Sequence, residues 1–543
     1  MSDKPKQSRE RILFQLELVA CAALTLLAIG LHWHFLNHAG ALWRDEASSV
    51  TISEQSSVRE IWSLLTYDSF PLFLPLSLKL WSAICPVAGD PGLRLYGFIV
   101  GIALLVAYWF NGLCVGRKPP VLALALVAFN AVFIRWGDSL RAYGVGCVFM
   151  LAAFGLMWRM LERPTRGRFV LAALAAVLSV QTLYQNAFLL LAICLGAWAV
   201  CARRKQWRLA AQVLAVGLVS ALSLAPYVPA ILRSQSWWEI QKGGFDPAWI
   251  WQNLGGAMGS PAKELLFLWL GLAGVAAVVG IAGLIQSRGT EKRNSDDFSE
   301  ARRFAAVTLL AGVPLFFLFI WLAGMGTQVW YYLPLLALVA ACADVALGDW
   351  FKRFAEWRLV LLVLAGFFSF TDAHTALNCR MTRFDEFARF LGTNAAPDDL
   401  VVLYPWHCGL NWRRYYHGPA RWTTLPPIED HRVQRSDLFR EQMQTDDPVA
   451  GLMADCARTL RAGKSIWLLG AYSSPEGDLP PIGKAPHPEY GWMEIPFELN
   501  YMGRVSYFLH RHARGIALVP MESTRCVSAY EDVPLLVARG WRE

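Results

Sequence analysis

A chain of 543 residues that is 55% hydrophobic, only 17% charged, rich in Trp (24) and of mean hydropathy +0.35 is too apolar for a soluble globule of its length. The net charge of +8 does not point to nucleic acid, because the bases stand in short clusters between apolar runs, not in one tail or on one face. Those clusters fit the orientation signal of a polytopic membrane protein.

A helix needs roughly 20 apolar residues to cross a bilayer. On that measure eleven spans are predicted, near 12–36, 94–115, 119–136, 141–160, 168–185, 187–202, 209–232, 264–286, 304–324, 329–348 and 358–377. The first follows Lys4, Lys6, Arg9 and Arg11 and lacks a small-residue cleavage site, so it is expected to remain as an anchor with a cytoplasmic N-terminus.

Directly after it, "ALWRDEASSV" sets Arg44, Asp45 and Glu46 side by side behind Trp43. A solvated helix end is the plain reading of such an acidic pair. A long following loop, with Asp68 in "YDSFPLFLPLSLKLW", argues instead for a built site. Segment 71–87 decides the topology: it is apolar but short, holds Pro71 and Pro75, and carries Lys79. If it lies along the outer interface within one loop from 37 to 93, 18 basic residues in clusters at 117–118, 159–168, 203–208, 288–303 and 352–358 fall inside; if it crosses, they fall outside. The first arrangement is expected. It places Asp45, Glu46, Asp68, Asp138, Arg141 and the polar C-terminal portion on the outer face, and 287–303 reads as a flexible charged loop.

From about residue 378 the character changes. "DDLVVLYP" and "KSIWLLGAY" read as short buried strands, and 383–391 and 446–462 as helices, so 378–543 is expected to be an α/β extracytoplasmic domain. Its Cys379, Cys408, Cys456 and Cys526 allow three disulfide pairings, whereas the other seven cysteines lie in or beside the membrane part as small buried hydrophobes. No CxxC or HExxH signals zinc, and His407, next to Cys408, reads as structural. "NWRRYYHG" (411–418) reads first as a helix packed in its own domain; stacking of Trp412, Tyr415 or Tyr416 on a sugar, with Arg413 or Arg414 on phosphate, is the functional alternative.

Taken together, "LWRDEASSV", "YDSFPLFLPLSLKLW", "GLRLYGFIVGIALL" and "IRWGDSLRAYGVGCVFMLAAFGLMWRML" resemble successive landmarks of GT-C superfamily glycosyltransferases of the bacterial family 39 type, the protein mannosyltransferases and aminoarabinose transferases. The resemblance covers roughly 12–345. It implies a GT-C-like transmembrane core over 1–377, a sugar donor carried on polyprenyl phosphate, and an essential acid in the first outer loop, where Asp45 and Glu46 stand. It further implies action in a bacterial cytoplasmic (inner) membrane. Arg141 and Tyr143 match the family's Arg-x-Tyr, with Ser139 where an acid is frequent and Asp138 beside it. Pro71 and Pro75 are not adjacent as in the family's proline run, and "VWYYLPLLALVAA" resembles a late helix without its usual arginine.

The chemistry agrees. A base must take the acceptor hydroxyl's proton as the oxygen attacks the anomeric carbon, and Asp45, with Glu46 beside it, suits that work. A base opposite the leaving group predicts inversion. Arg44, Lys79, Arg94 and Arg141 are the cations expected to hold phosphate, snorkelling to lipid headgroups being the plain reading for Lys79 and Arg94. Asp68, Asp138 and Tyr143 complete the expected substrate contacts. No resident metal is expected; Asp45, Glu46 and Asp138 are the oxygen donors that Mg or Mn would use. A scaffold or receptor with an outer sensory domain is one rival class, but it would not need an acidic pair beside an interfacial helix. A lipid or glycan transporter or flippase is the other. It would carry ionisable groups near the bilayer midplane, where Asp344 is the main exception in otherwise apolar spans.

Overall fold

The computed structural model describes residues 4–68, 70–241, 245–286, 300–324, 326–348, 355–521 and 525–543. Most of the expected charged loop at 287–303 lies outside the described residues, as do Arg288, Lys292, Arg293, Lys352 and Arg353.

Among the described residues nine helices are long and apolar enough to cross a bilayer: Arg11–His38, Gly89–Gly116, Ala142–Glu162, Asn186–Arg203, Trp207–Gln235, Lys263–Gln286, Glu300–Ala323, Val329–Leu347 and Glu356–Leu377. Each matches an expected span. The other two expected spans are shorter helices. Residues 119–136 fold as Val121–Val127 and Ala131–Gly137, divided at Asn130. Its side-chain oxygen accepts from the N–H groups of Val132 (2.9 Å) and Phe133 (3.2 Å), which starts a new helix. Its amide donates to the Ala257 carbonyl at 2.9 Å, so the break is held from outside as well. The expected span at 168–185 overlaps the 15-residue helix Arg166–Val180, capped by Thr165. Segment 71–87 forms Phe73–Ile84, 12 residues long. At a rise of about 1.5 Å per residue that is roughly 18 Å, well short of the ~30 Å hydrocarbon core.

The chain divides into two compact units. The first comprises Met1–Asn37, Phe70–Val228 and Gly244–Leu377; the second comprises His38–Ser69, Pro229–Gly243 and Asn378–Glu543. The second unit thus takes in the stretch that bears Arg44, Asp45 and Glu46.

Within the first unit, Asp344 is not the lone buried charge in a span. Arg358 Nη1 lies 3.1 Å from Glu17 Oε1, and Arg358 Nη2 lies 3.9 Å from Asp344 Oδ1. Asp344 Oδ1 also accepts the Leu122 N–H at 2.8 Å and so caps the Val121–Val127 helix. These intramembrane charges are engaged with one another and with a helix end. That is how a buried ionic group persists in lipid without lining a transport path.

The second unit is built on a five-stranded mixed sheet: β1 (Leu400–Leu403), β2 (Arg421–Thr424), β3 (Ile466–Leu469), β4 (Ala513–Leu518) and β5 (Leu535–Trp541), in the order β2-β1-β3-β5-β4. β1 runs parallel to β2 and β3, while β5 runs antiparallel to β3 and β4. The unbroken apolar runs "LVVL" and "IWLL" make the central strands because they are covered on both faces. Trp406, Phe439 and Tyr501 pack on one side of the sheet's core, and Phe384, Phe387 and Trp412 on the other. The expected helices appear as Phe384–Asn394 and Ala450–Arg461. Cys379 and Cys526 form a disulfide, and Cys408 and Cys456 are free and buried. Beside the bridge the Arg380 N–H donates to the Cys526 carbonyl (2.9 Å) and the Ser528 N–H to the Arg380 carbonyl (2.8 Å).

Candidate active site

In the second unit the helix Arg44–Ser53 begins at Trp43, whose backbone is extended (φ −76°, ψ 166°). The Glu46 carboxylate reaches back to accept the Trp43 N–H at 3.2 Å, which is the returning half of a capping box. Two acids in the first turn also suit the positive end of the helix dipole. The pair is thereby divided in its roles. Glu46 is fully buried and ties down the helix start, whereas the Asp45 side chain keeps 19% of its surface open.

Arg44 is anchored on several sides. Its Nε lies 3.6 Å from Asp45 Oδ1, and its Nη1 lies 2.5 Å from His407 Nε2. Its backbone N–H donates to Glu531 Oε1 at 3.0 Å, while Glu531 Oε2 accepts from Asn411 Nδ2 at 2.6 Å. Burial, with Arg44 alongside, pushes the His407 imidazolium well below its usual range. The ring is therefore neutral at pH 7 and accepts at Nε2 from Arg44. Burial pushes the Glu531 carboxyl up to about 7 against the opposing pull of Arg44. Glu494 and Glu498, one turn apart on the helix Glu494–His512, are both pushed up by burial. Glu494 Oε1 accepts the Trp406 indole N–H at 2.9 Å, and Glu498 Oε1 is buried without a hydrogen-bond partner among the described residues.

The sequence does not single out Glu494, Glu498 or Glu531, and it marks His407 only as structural. No local signal could have found them, since His407 and Glu531 lie 363 and 487 residues from Arg44.

The functional alternative for "NWRRYYHG" is corrected at its central residue. Gly409–Tyr415 is a helix in which Trp412 is fully buried and stacked on Tyr416 at 4.5 Å, so its ring has no face left for a sugar. Arg414 lies 3.4 Å from Glu54, and the Tyr415 hydroxyl accepts the Leu42 N–H at 2.6 Å. Asp68 is buried at the end of the short turn Leu65–Tyr67. Tyr67 stacks on Trp237 at 5.5 Å and lies 4.8 Å under Arg435, which pairs with Asp430 and Asp437 at 2.7 Å each.

Lys79, Arg94, Asp138, Arg141 and Tyr143 belong to the first unit. Asp138 closes the helix Ala131–Gly137 and its Oδ2 meets His32 Nδ1 at 2.7 Å, both side chains being buried. The helix Gly89–Asn111 allows this. A Cβ at Gly97 would stand 1.9 Å from the Asp138 carbonyl oxygen, and one at Gly101 would stand 2.2 Å from Asp138 Oδ1 and 2.4 Å from His32 Nδ1. Gly101→Ala should therefore cost about 1–3 kcal/mol of overpacking. Thermal unfolding in detergent measures this, and an unchanged midpoint would contradict the close approach.

Arg141 lies over the Phe70 ring at 4.2 Å, Phe70 meets Tyr143 edge-on at 5.4 Å, and Tyr143 stacks on Tyr331 at 5.9 Å. Such a cation over aromatic rings is held where little water can screen it. Arg94 is buried on the helix Gly89–Asn111, and Lys79 is half-buried on Phe73–Ile84. That short helix also walls an apolar cavity of about 310 Å³, with Phe73, Trp81, Tyr96, Val145 and Phe149 in its lining.

Among the described residues, no group of three or more His, Cys, Asp or Glu side chains is arranged to hold a metal ion. Of the three expected oxygen donors, Glu46 is engaged by the Trp43 N–H and Asp138 by His32.

The class these features define is a multi-pass helical membrane protein with a second unit built on a mixed sheet. Its fold is similar to that of a solved archaeal enzyme. The oligosaccharyltransferase of Archaeoglobus fulgidus, solved in complex with zinc and sulfate, is similar with a TM-score of 0.50 at 14% identity, over 92% of this chain and 78% of that one. The apo form of the same enzyme gives 0.44 at 13% identity over 75% of this chain, which spans only 64% of that enzyme's length. ArnT from Cupriavidus metallidurans, bound to undecaprenyl phosphate, gives 0.35 at 13% identity over 82% of this chain and 92% of that one. No protein-family profile matches the chain, and no curated protein matches it in sequence.

Proposed function

We propose that the protein is a membrane glycosyltransferase that moves a sugar from a polyprenyl-phosphate donor to a hydroxyl acceptor at the outer face of a bacterial cytoplasmic membrane. The observation that carries this reading is the state of Asp45. It is the partly open carboxylate on a helix start where Glu46 is committed to the backbone and Arg44 is fixed by His407 and by Glu531. A carboxylate so oriented is fitted to be a general base.

Asp45 takes the proton of the acceptor hydroxyl as its oxygen bonds to the anomeric carbon. The bond from that carbon to the phosphate oxygen breaks, and polyprenyl phosphate leaves with the electron pair. One displacement inverts the anomeric centre. On this reading Lys79, Arg94 and Arg141 serve the charge on the departing phosphate, with Asp68, Asp138 and Tyr143 as further substrate contacts. No step uses a metal. The fold shared with the archaeal enzyme supports the reading, and so does the Cys379–Cys526 bridge, which suits a domain outside the cytosol.

Mass spectrometry of lipid that co-purifies with the full chain should find polyprenyl phosphate or its glycoside, and the protein should transfer sugar from such a donor. A lipid-free preparation inert towards a panel of polyprenyl-phosphate sugars would overturn the assignment. For the topology, a membrane-impermeant thiol reagent should label Arg59→Cys and Asp478→Cys from outside but not Arg166→Cys, all three being exposed positions. Labelling of Arg166→Cys in sealed cells would reverse the orientation.

A further inference from the structure

A second cavity, of about 880 Å³, lies in the first unit apart from every residue assigned above. Arg117, Lys118, Arg159, Arg163, Arg168 and Arg204 line it against only two carboxylates, Glu162 and Glu300. These bases come from three of the sequence clusters expected on the cytoplasmic side. Arg117 and Arg163 are exposed, as bases that serve topology are, whereas Arg159, Arg168 and Arg204 are half-buried in the cavity wall.

The two carboxylates are already spent. Arg204 Nε donates to Glu300 Oε1 at 2.8 Å, and Arg117 Nη2 donates to Glu162 Oε1 at 3.0 Å. Arg168 Nη1 donates to the Arg159 carbonyl at 2.9 Å, and Arg159 Nη1 meets the Cys114 sulfur at 3.4 Å. Neither of these guanidinium groups, nor that of Arg163, has a carboxylate partner among the described residues. Three like charges around one cavity repel each other unless an anion enters, and the guanidinium fork matches phosphate oxygens in pairs.

We propose that this cavity binds the phosphate-bearing headgroup of an anionic phospholipid of the cytoplasmic leaflet. Its volume is ample for more than a single phosphate, and Leu113, Val115, Trp158 and Val345 supply an apolar wall for the glycerol and the first acyl carbons. Basic pockets between transmembrane helices on the cytoplasmic side bind such headgroups on the same physical grounds. The proposal does not depend on the glycosyltransferase reading.

The test is native mass spectrometry of the full chain released from nanodiscs that contain equal parts of a zwitterionic phospholipid and cardiolipin. The protein should retain cardiolipin, and Arg159→Gln/Arg168→Gln should lower its occupancy at least tenfold. Arg59→Gln, an exposed change in the second unit, should leave occupancy as it was. Should the double glutamine variant not fold, Arg159→Lys/Arg168→Lys keeps the charge but loses the fork, and an intermediate occupancy supports the proposal. Equal occupancy in wild type and in every folded variant overturns it. A parallel arm offers inorganic pyrophosphate to delipidated protein. Binding of pyrophosphate with no retention of cardiolipin would show that the anion is soluble and overturn the lipid assignment.

Discussion

Asp45→Asn should lower sugar transfer by at least about 100-fold, the factor typical of losing a general base. The substitution keeps the volume of a side chain that is 19% open, and it leaves Glu46 free to hold the helix start through the Trp43 N–H. Thermal stability and retention of donor lipid should therefore stay close to wild type while turnover collapses. Glu46 should behave in the opposite way. Glu46→Gln preserves an acceptor for the cap and should be tolerated, whereas Glu46→Ala should lose about 1 kcal/mol of stability. Near-normal turnover in a folded Asp45→Asn protein would remove Asp45 from the mechanism.

The second large effect is expected at Glu531, which accepts from the Arg44 N–H and from Asn411 in a fully buried position. Glu531→Ala would leave both donors unsatisfied, at a cost of about 3 kcal/mol or more. The pH dependence follows from the same burial. The folded-state carboxyl titrates near 7 where an unfolded one titrates near 4.5, so between those values the folded chain holds a proton that the unfolded chain has released. Its contribution to stability is full below pH 4.5, falls as pH rises through this window, and is constant above it. Glu531→Gln keeps the shape and removes the titration, so its stability curve should lose that decline. Glu494 and Glu498, raised by burial in the same sense, leave a residual slope in both proteins. Parallel curves of melting temperature against pH for wild type and Glu531→Gln would show that Glu531 does not carry the effect.

Much of this architecture is legible because hydropathy is additive along the chain. Long apolar runs announce spans, and "LVVL" and "IWLL" announce strands covered on both faces. The division at Asn130 was hidden because a single amide in an apolar run barely changes a window average, although it can cap a helix. Strand β2, four residues with half-open sides, looks like loop, and Pro496 and Gly503 disguise the helix Glu494–His512. Proline is tolerated there because it falls in the first turn. The site divides in the same way. Asp45 stands out because charge at a membrane exit is unusual. Glu531 and Glu498 belong to no motif or spacing that marks them, and only folding brings them to Arg44. The pairing of Cys379 with Cys526 was one of three, and spacing had no means of choosing it.

That bridge has a consequence for how the protein matures. The segment it fixes runs through Ser528 to Glu531, whose carboxylate receives the amide of Arg44 and so anchors the turn that presents Asp45. Organisation of the proposed catalytic turn is thereby tied to thiol oxidation, which proceeds outside the reducing cytosol. On the proposed topology and site, a newly made chain would insert its helices first and acquire an ordered turn at Asp45 only after its last segment had been exported and oxidised. If the proposed activity holds, nascent protein would thus be kept from turnover until this turn is assembled.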